Sequence, residues 1–495
     1  MTPSPEESSR RHVLLFLPLA LALIPRLLLA WREHGLNHPD ELFQVLEPAH
    51  RFVFGFGIQS WEFQTGARSW FLPGIVGLIW KGLSAAGVDD PLVAVPLLRL
   101  PFVALGVLSV FLAARLARRL GGERAGVMAA LATGFLPLAL LLDFRATTEA
   151  ASAPLILAAV LLLMDGRVAR AGALIGVTVL LRPTNAVVGV AVAASLAFER
   201  RPRDVVRLVA GALPVAIAGG LLDLATWGRP FHSMIEYLRF NLFEGGARGF
   251  GVEPAWFYGW ALLVTAPFVA LTLPTLIAVA RRSAPARAPL FVTFVYLLVH
   301  SAQGHKEVRF LLPIAPLMVA LGAVGLNAWL EPILERRGHA LRAAFTPGLG
   351  VIVVTAGLVM AWSFTYAGLR DNTGRPMDTV LAGQRDAVQR LMREAGRRDE
   401  LCGLVLVGVV PNELFSGGYT YLHRDVPLTS PGRPAEWPPL SKAANLAITA
   451  REVRPPGWEA IAEQGDLVLR RRSGPCAELP EAFRPRYIRA GNAAN

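Results

Sequence analysis

Long apolar stretches recur along this chain from residue 13 to residue 366, separated by short polar connections. Eleven runs can be marked, at 13–31, 92–116, 124–142, 146–164, 168–181, 184–198, 205–226, 257–280, 288–302, 309–330 and 344–366. A helix of about 20 apolar residues crosses the hydrocarbon of a bilayer and satisfies its own backbone there. The pattern therefore predicts an all-α polytopic membrane protein with about 11 transmembrane helices in residues 13–370. The fifth and sixth runs are short, and Pro183 between them predicts either a re-entrant turn or two brief spans. Beyond residue 371 the pattern changes to a helix across 377–396 followed by apolar strands CGLVLVGVV, NLAITA and DLVLRRR, a small α/β domain over 371–495. Residues 1–12 form a polar head expected to be disordered.

Charge adds orientation. Arg115, Arg118, Arg119 and Arg124, then Arg167 and Arg170, then Arg200, Arg201, Arg203 and Arg207 fall in alternate connections. Arg281, Arg282 and Arg287, then Arg336, Arg337 and Arg342, continue the series. Basic residues in cytoplasmic loops set topology, so these loops are placed inside and the remaining ones, with the C-terminal segment, outside. This placement accounts for the formal charge of +12 and excludes a nucleic-acid partner. The first run follows Arg10 and Arg11 like a signal peptide but lacks a small-residue cleavage pattern, so a retained first helix is expected. Arg26, near the outer end of that helix, is expected to snorkel to the interface. Cys402 and Cys476 lie in the outer segment, where either a disulfide or two free thiols fits.

The outer connections hold the acid–base clusters. NHPDELFQVLEPAH at 37–50 and GARSWFLP lie in the first outer loop, 32–91, with DFRATTE at 143–149, LRPTN at 181–185 and QGHKEVRF at 303–310 further along. Carboxylates facing Lys306, Arg309, Arg182 and Arg145 suit a site that handles an anion beside a nucleophile. A sugar on a lipid phosphate carries a good leaving group. One carboxylate base for the acceptor hydroxyl and fixed cations for the departing phosphate then suffice, without a general acid. No Asp-x-Asp pair argues for a metal, so no cofactor is expected.

HPDELFQVLEPAH, FGFGIQSWEF and RSWFLP together resemble the first outer loop of the family 22 glycosyltransferases, the polyprenyl-phosphate-mannose-dependent enzymes of GPI-anchor and N-glycan assembly. FNLFEGGARGFGVEPAWFYGW, HKEVRFLLPIAP and LRPTN are similar to that family's later segments, so the resemblance covers about residues 13–330. It implies a GT-C fold and an inverting transfer of mannose to a glycan or glycolipid acceptor, with a catalytic acid in the first outer loop. Asp40 is the first candidate for that acid and Glu41 the second. If 39–50 opens a helix at Pro39, then Asp40, Gln44 and Glu47 share one face and Glu41 points with Val45 and Pro48. Lys306, Arg309, His305 and Arg182 are candidates for the donor phosphate, with Glu307 orienting Arg309. His38, Gln44, Glu47 and Arg68 are candidates for substrate contact. Glu62 with Arg68, and Asp143 with Arg145 and Glu149, also suit structural ion pairs, and His50 suits a hydrogen-bonding loop residue. Lys81, Lys306 and Lys442 are the only lysines among many arginines, and with abundant Ala, Gly and Pro this suggests a bacterial inner-membrane protein with a bacterial polyprenol donor. The alternatives are a GT-C transferase for another lipid-phosphate sugar, glucose or arabinose, and a secondary transporter. Against the transporter, no paired halves with broken helices are visible.

Overall fold

The computed structural model describes residues 5–35, 39–337, 348–356, 365–370, 376–378, 386–409 and 416–483. The chain divides into two compact units, Met1–Leu29 with Leu100–Thr379, and Ala30–Arg99 with Val380–Asn495.

The first unit is built mainly of helices broken where the sequence supplies glycine or proline. Pro91–Gly134 is two helices meeting at Gly122, whose φ of 81° a side chain would resist. Val168–Leu181 and Ala186–Phe198 are separated by a short 3-10 turn at Pro183–Asn185. The predicted run 257–280 becomes three short helices, Phe257–Thr265, Pro267–Leu271 and Leu273–Arg282, because Pro267 and Pro274 each restart the backbone at a helix entrance. Among the described residues, Pro91–Gly134, Pro202–Trp227 and Val308–Arg336 are long and apolar enough to cross a membrane by length and composition. Thr148–Met164, Val168–Leu181 and Pro183–Phe198 are shorter apolar helices. The predicted run 344–366 falls largely outside the described residues.

Close approach of two helices is visible at Gly172 and Gly211. A methyl on Gly172 would lie 2.0 Å from the Leu208 carbonyl oxygen, and one on Gly211 would lie 1.8 Å from that of Ala169. Small residues let apolar helices pack backbone to backbone where no hydrophobic drive separates helix from lipid.

The second unit joins the short helices of residues 39–85 to a five-stranded sheet. Its strand order is Leu428–Thr429, Leu404–Val407, Leu446–Ala450, Leu467–Arg471, Glu459–Gln464. The first three strands run parallel and the last two antiparallel to their neighbours. The apolar runs of CGLVLVGVV and NLAITA supply its buried central strands. The amphipathic helix Ala387–Gly396 sets Ala387, Val388, Leu391, Met392 and Ala395 in the core. Cys402 and Cys476 form a disulfide.

Candidate active site

The acidic stretch of the first loop is one helical segment with an irregular middle. Pro39–Glu41 forms its first turn, Leu42–Leu46 a π-turn, and Glu47–Phe54 an α-helix stopped by Gly55 in the left-handed region. The π-turn is closed by the Glu47 backbone N–H donating to the Leu42 carbonyl. One extra residue per turn rotates everything beyond it, so the 3.6-residue face expected for Asp40, Gln44 and Glu47 does not carry through. Single π-turns inside helices are frequent at functional sites.

Each acid here has a distinct surrounding. Glu41 is 1% exposed and takes a bidentate pair from Arg99, with Nε–Oε1 2.8 Å and Nη2–Oε2 2.9 Å. Arg99 is itself fully buried within the helix that starts at Pro91. Glu62 accepts from Gln44 Nε2 at 3.0 Å, Arg68 Nε at 3.1 Å and Ser60 Oγ at 3.2 Å. Burial pushes the Glu62 carboxyl up, the Arg68 guanidinium opposes this, and the negative charge of Asp40 adds to the rise. Asp40 therefore lies in electrostatic reach of Glu62, and it is half-buried where Glu41, Glu47 and Glu62 are buried. Glu47 is sealed from solvent and accepts the Ile58 N–H at 2.7 Å and the Thr420 N–H at 2.5 Å. His50 is buried. Its Nδ1 meets the Phe56 carbonyl at 3.0 Å and its Nε2 meets His423 Nδ1 at 3.1 Å. Burial lowers its pKa to about 3, so the ring is neutral, donates from Nδ1 and accepts at Nε2. His38 lies outside the described residues.

In the other unit a second polar cluster is gathered by Glu149 at the start of helix Thr148–Met164, whose N-cap Thr147 accepts the Ala150 N–H at 3.3 Å. Glu149 Oε1 accepts from Arg309 Nη1 at 3.0 Å and also from Arg182 Nη1. The Arg309 fork is gripped by Glu307, with Nε–Oε2 2.5 Å and Nη2–Oε1 3.2 Å. Arg182 and Arg309 both lie over the Phe310 ring, at 4.3 and 5.0 Å from its centroid. His305 Nε2 meets Glu307 Oε1 at 3.0 Å, and its Nδ1 meets the Gly251 carbonyl at 3.1 Å. Lys306 Nζ donates to the carbonyls of Glu253 at 2.7 Å, Gly304 at 3.4 Å and Gln303. Desolvation lowers the Lys306 pKa. LRPTN, DFRATTE and HKEVRF thus converge on one carboxylate.

Two arginines were not singled out as ion-pair partners by the sequence. Arg26 does not snorkel: it has no exposed surface, donates to Asp143 Oδ2 at 2.9 Å, and meets the carbonyls of Ala22 and Gly134. Desolvating a guanidinium is tolerated because these acceptors replace water. Arg99 is the other. The available signal for both was an arginine inside an apolar run, which is costly unless paired.

A family model described as the Alg9-like mannosyltransferase family matches residues 17–391. The chain is 31% identical over 297 residues to GPI mannosyltransferase 3 of Yarrowia lipolytica, an alignment covering 57% of this chain and 56% of that protein. It is 28% identical over 335 residues to mannosyltransferase APTG1 of Arabidopsis thaliana, covering 62% of this chain and 57% of that one. The matched stretch thus spans little more than half the length of these relatives. Among solved structures, ArnT from Cupriavidus metallidurans bound to undecaprenyl phosphate superposes with a TM-score of 0.58 at 15% identity, over 92% of this chain and 97% of that one. That likeness shows the fold, which is of the GT-C membrane type. With the family model covering most of its length, the chain belongs to the Alg9-like mannosyltransferase family.

Proposed function

We propose that the protein is an inverting mannosyltransferase that moves mannose from a polyprenyl-phosphate donor to a hydroxyl of a glycan or glycolipid, on the extracytoplasmic side of a bacterial inner membrane. Family membership supports the reaction class. The observation that carries the assignment of the base is the contrast among the loop acids. Asp40 is half-buried at the entrance to the π-turn, whereas Glu41, Glu47 and Glu62 are buried. In this reading Asp40 removes the proton from the acceptor hydroxyl as its oxygen attacks the anomeric carbon. The C–O bond to phosphate breaks on the opposite side and the lipid phosphate leaves with the electron pair. A phosphate leaves as a weak base, so no acid and no metal is required. Arg182 and Arg309 hold that phosphate, their forks preset by Glu149 and Glu307, while Lys306 and His305 fix the segment behind them. Gln44 and Arg68 contact the sugar or its acceptor from around Glu62.

The test incubates purified protein with polyprenyl-phosphate mannose, glucose and arabinose and candidate acceptors, with and without EDTA, and determines the anomeric configuration of the product. The expected result is transfer of mannose with inversion, unchanged by EDTA. Transfer of glucose or arabinose instead, or a requirement for a divalent ion, contradicts the reading.

A further inference from the structure

The segment GGYTYLH at 417–423 lies beyond the stretch matched by the family model, yet it meets the acidic loop at several points. Tyr421 donates its hydroxyl to the His34 carbonyl at 3.2 Å, near the start of the loop. Thr420 donates its backbone N–H to Glu47, and His423 donates Nδ1–H to the neutral His50 ring. At the other end of the loop Asp90 takes Arg393 Nε at 3.0 Å and Arg397 Nη2 at 2.9 Å, from the helix Ala387–Gly396 and its C-cap.

Glu47 is the centre of this arrangement. Its backbone closes the π-turn on Leu42, its Oε2 holds Ile58, and its Oε1 reaches a residue 373 positions away. Gly418 makes the approach possible. It sits at φ +56°, and a methyl there would lie 2.6 Å from Glu47 Oε1. A carboxyl with no exposed surface is costly to bury, and two short amide bonds offset that cost only while the Gly417–His423 turn stays in place.

We propose that the Gly417–His423 turn is a positioning element of the acidic loop, acting through Glu47 on the π-turn that adjoins Asp40. Glu47 is thereby assigned to holding the loop rather than to touching sugar. The activity arm of the test rests on the mannosyl-transfer reading; the exchange arm does not.

The experiment uses the full chain in nanodiscs and compares Gly418→Ala and Glu47→Ala with wild type by hydrogen exchange and steady-state kinetics. Amide exchange in 42–58 is expected to rise about tenfold or more in both variants, while 446–471 keeps wild-type protection. The kcat is expected to fall about tenfold or more with the KM for the lipid donor within about twofold, since binding is retained and the base is misplaced. Unchanged protection of 42–58, or a raised KM with unchanged kcat, overturns the proposal. Loss of protection extending over 446–471 in both variants makes the contact a general folding requirement and also overturns it. If wild type transfers no mannose, the functional reading fails, and exchange in 42–58 alone decides the positioning role.

Discussion

In the acidic loop each buried carboxylate has a partner set of its own: Arg99 for Glu41, two backbone amides for Glu47, and Gln44, Ser60 and Arg68 for Glu62. Around Glu149 one carboxylate oxygen is shared between Arg182 and Arg309, and a second acid, Glu307, grips Arg309 from another side. The loop distributes its charges and leaves Asp40 half-exposed beside them; the cluster concentrates two guanidinium groups on one point. A proton acceptor needs access to its substrate, whereas an anion site needs cations held together against their repulsion. Glu149 and Glu307 offset that repulsion, so in the proposed reading the cations are in place before the donor phosphate arrives.

Removing the Glu41 side chain should have the largest effect on folding. Glu41→Ala leaves Arg99 buried without its bidentate partner, a loss of about 3–5 kcal/mol. Chemical denaturation in detergent, read by tryptophan fluorescence, checks it; a shift equivalent to about 1 kcal/mol or less would mean that the pair is not what holds the loop.

The next effect comes from pH. Burial raises the Glu47 carboxyl from 4.5 to about 7. Its folded pKa exceeds its unfolded one, so its contribution is fully present below about 4.5 and is lost as pH rises through about 7. The full span corresponds to about 3 kcal/mol as an upper bound. Glu47→Gln should flatten this slope of stability against pH whatever its absolute stability, and an equal slope in both proteins would remove Glu47 as the titrating group.

A smaller change is expected from the cluster. Arg309→Ala should weaken donor binding by about 2 kcal/mol, about 30-fold, read as a rise in KM for the lipid donor with a lesser change in kcat. A fall in kcat alone would place Arg309 with the chemistry rather than with the phosphate, and would blur the division of roles between the two regions.

How much of this was legible depends on chain separation. Glu62 with Arg68, and Glu307 with Arg309, are six and two residues apart, and their pairing follows from local sequence. The apolar runs and the breaks at Pro183 and Gly122 follow from helix physics. Glu41 with Arg99, Arg26 with Asp143, and Glu47 with Thr420 are 58, 117 and 373 residues apart, and nothing local names the partner. The π-turn at Leu42–Leu46 was equally hidden, since LFQVL reads as ordinary α-helix. It separates the expected shared face of Asp40, Gln44 and Glu47, sending Gln44 to Glu62 and Glu47 to Ile58 and Thr420.

The identity of the base is tested most directly by the single-turnover rate of Asp40→Asn at saturating donor and acceptor, beside Glu41→Gln and with folding of each variant checked by its melting curve. The account predicts a fall of about 10²–10⁴-fold for Asp40→Asn with a wild-type melting curve, and for Glu41→Gln a lowered melting curve with the greater part of the rate retained in the folded fraction. A folded Asp40→Asn protein that transfers mannose within about tenfold of the wild-type rate would contradict it.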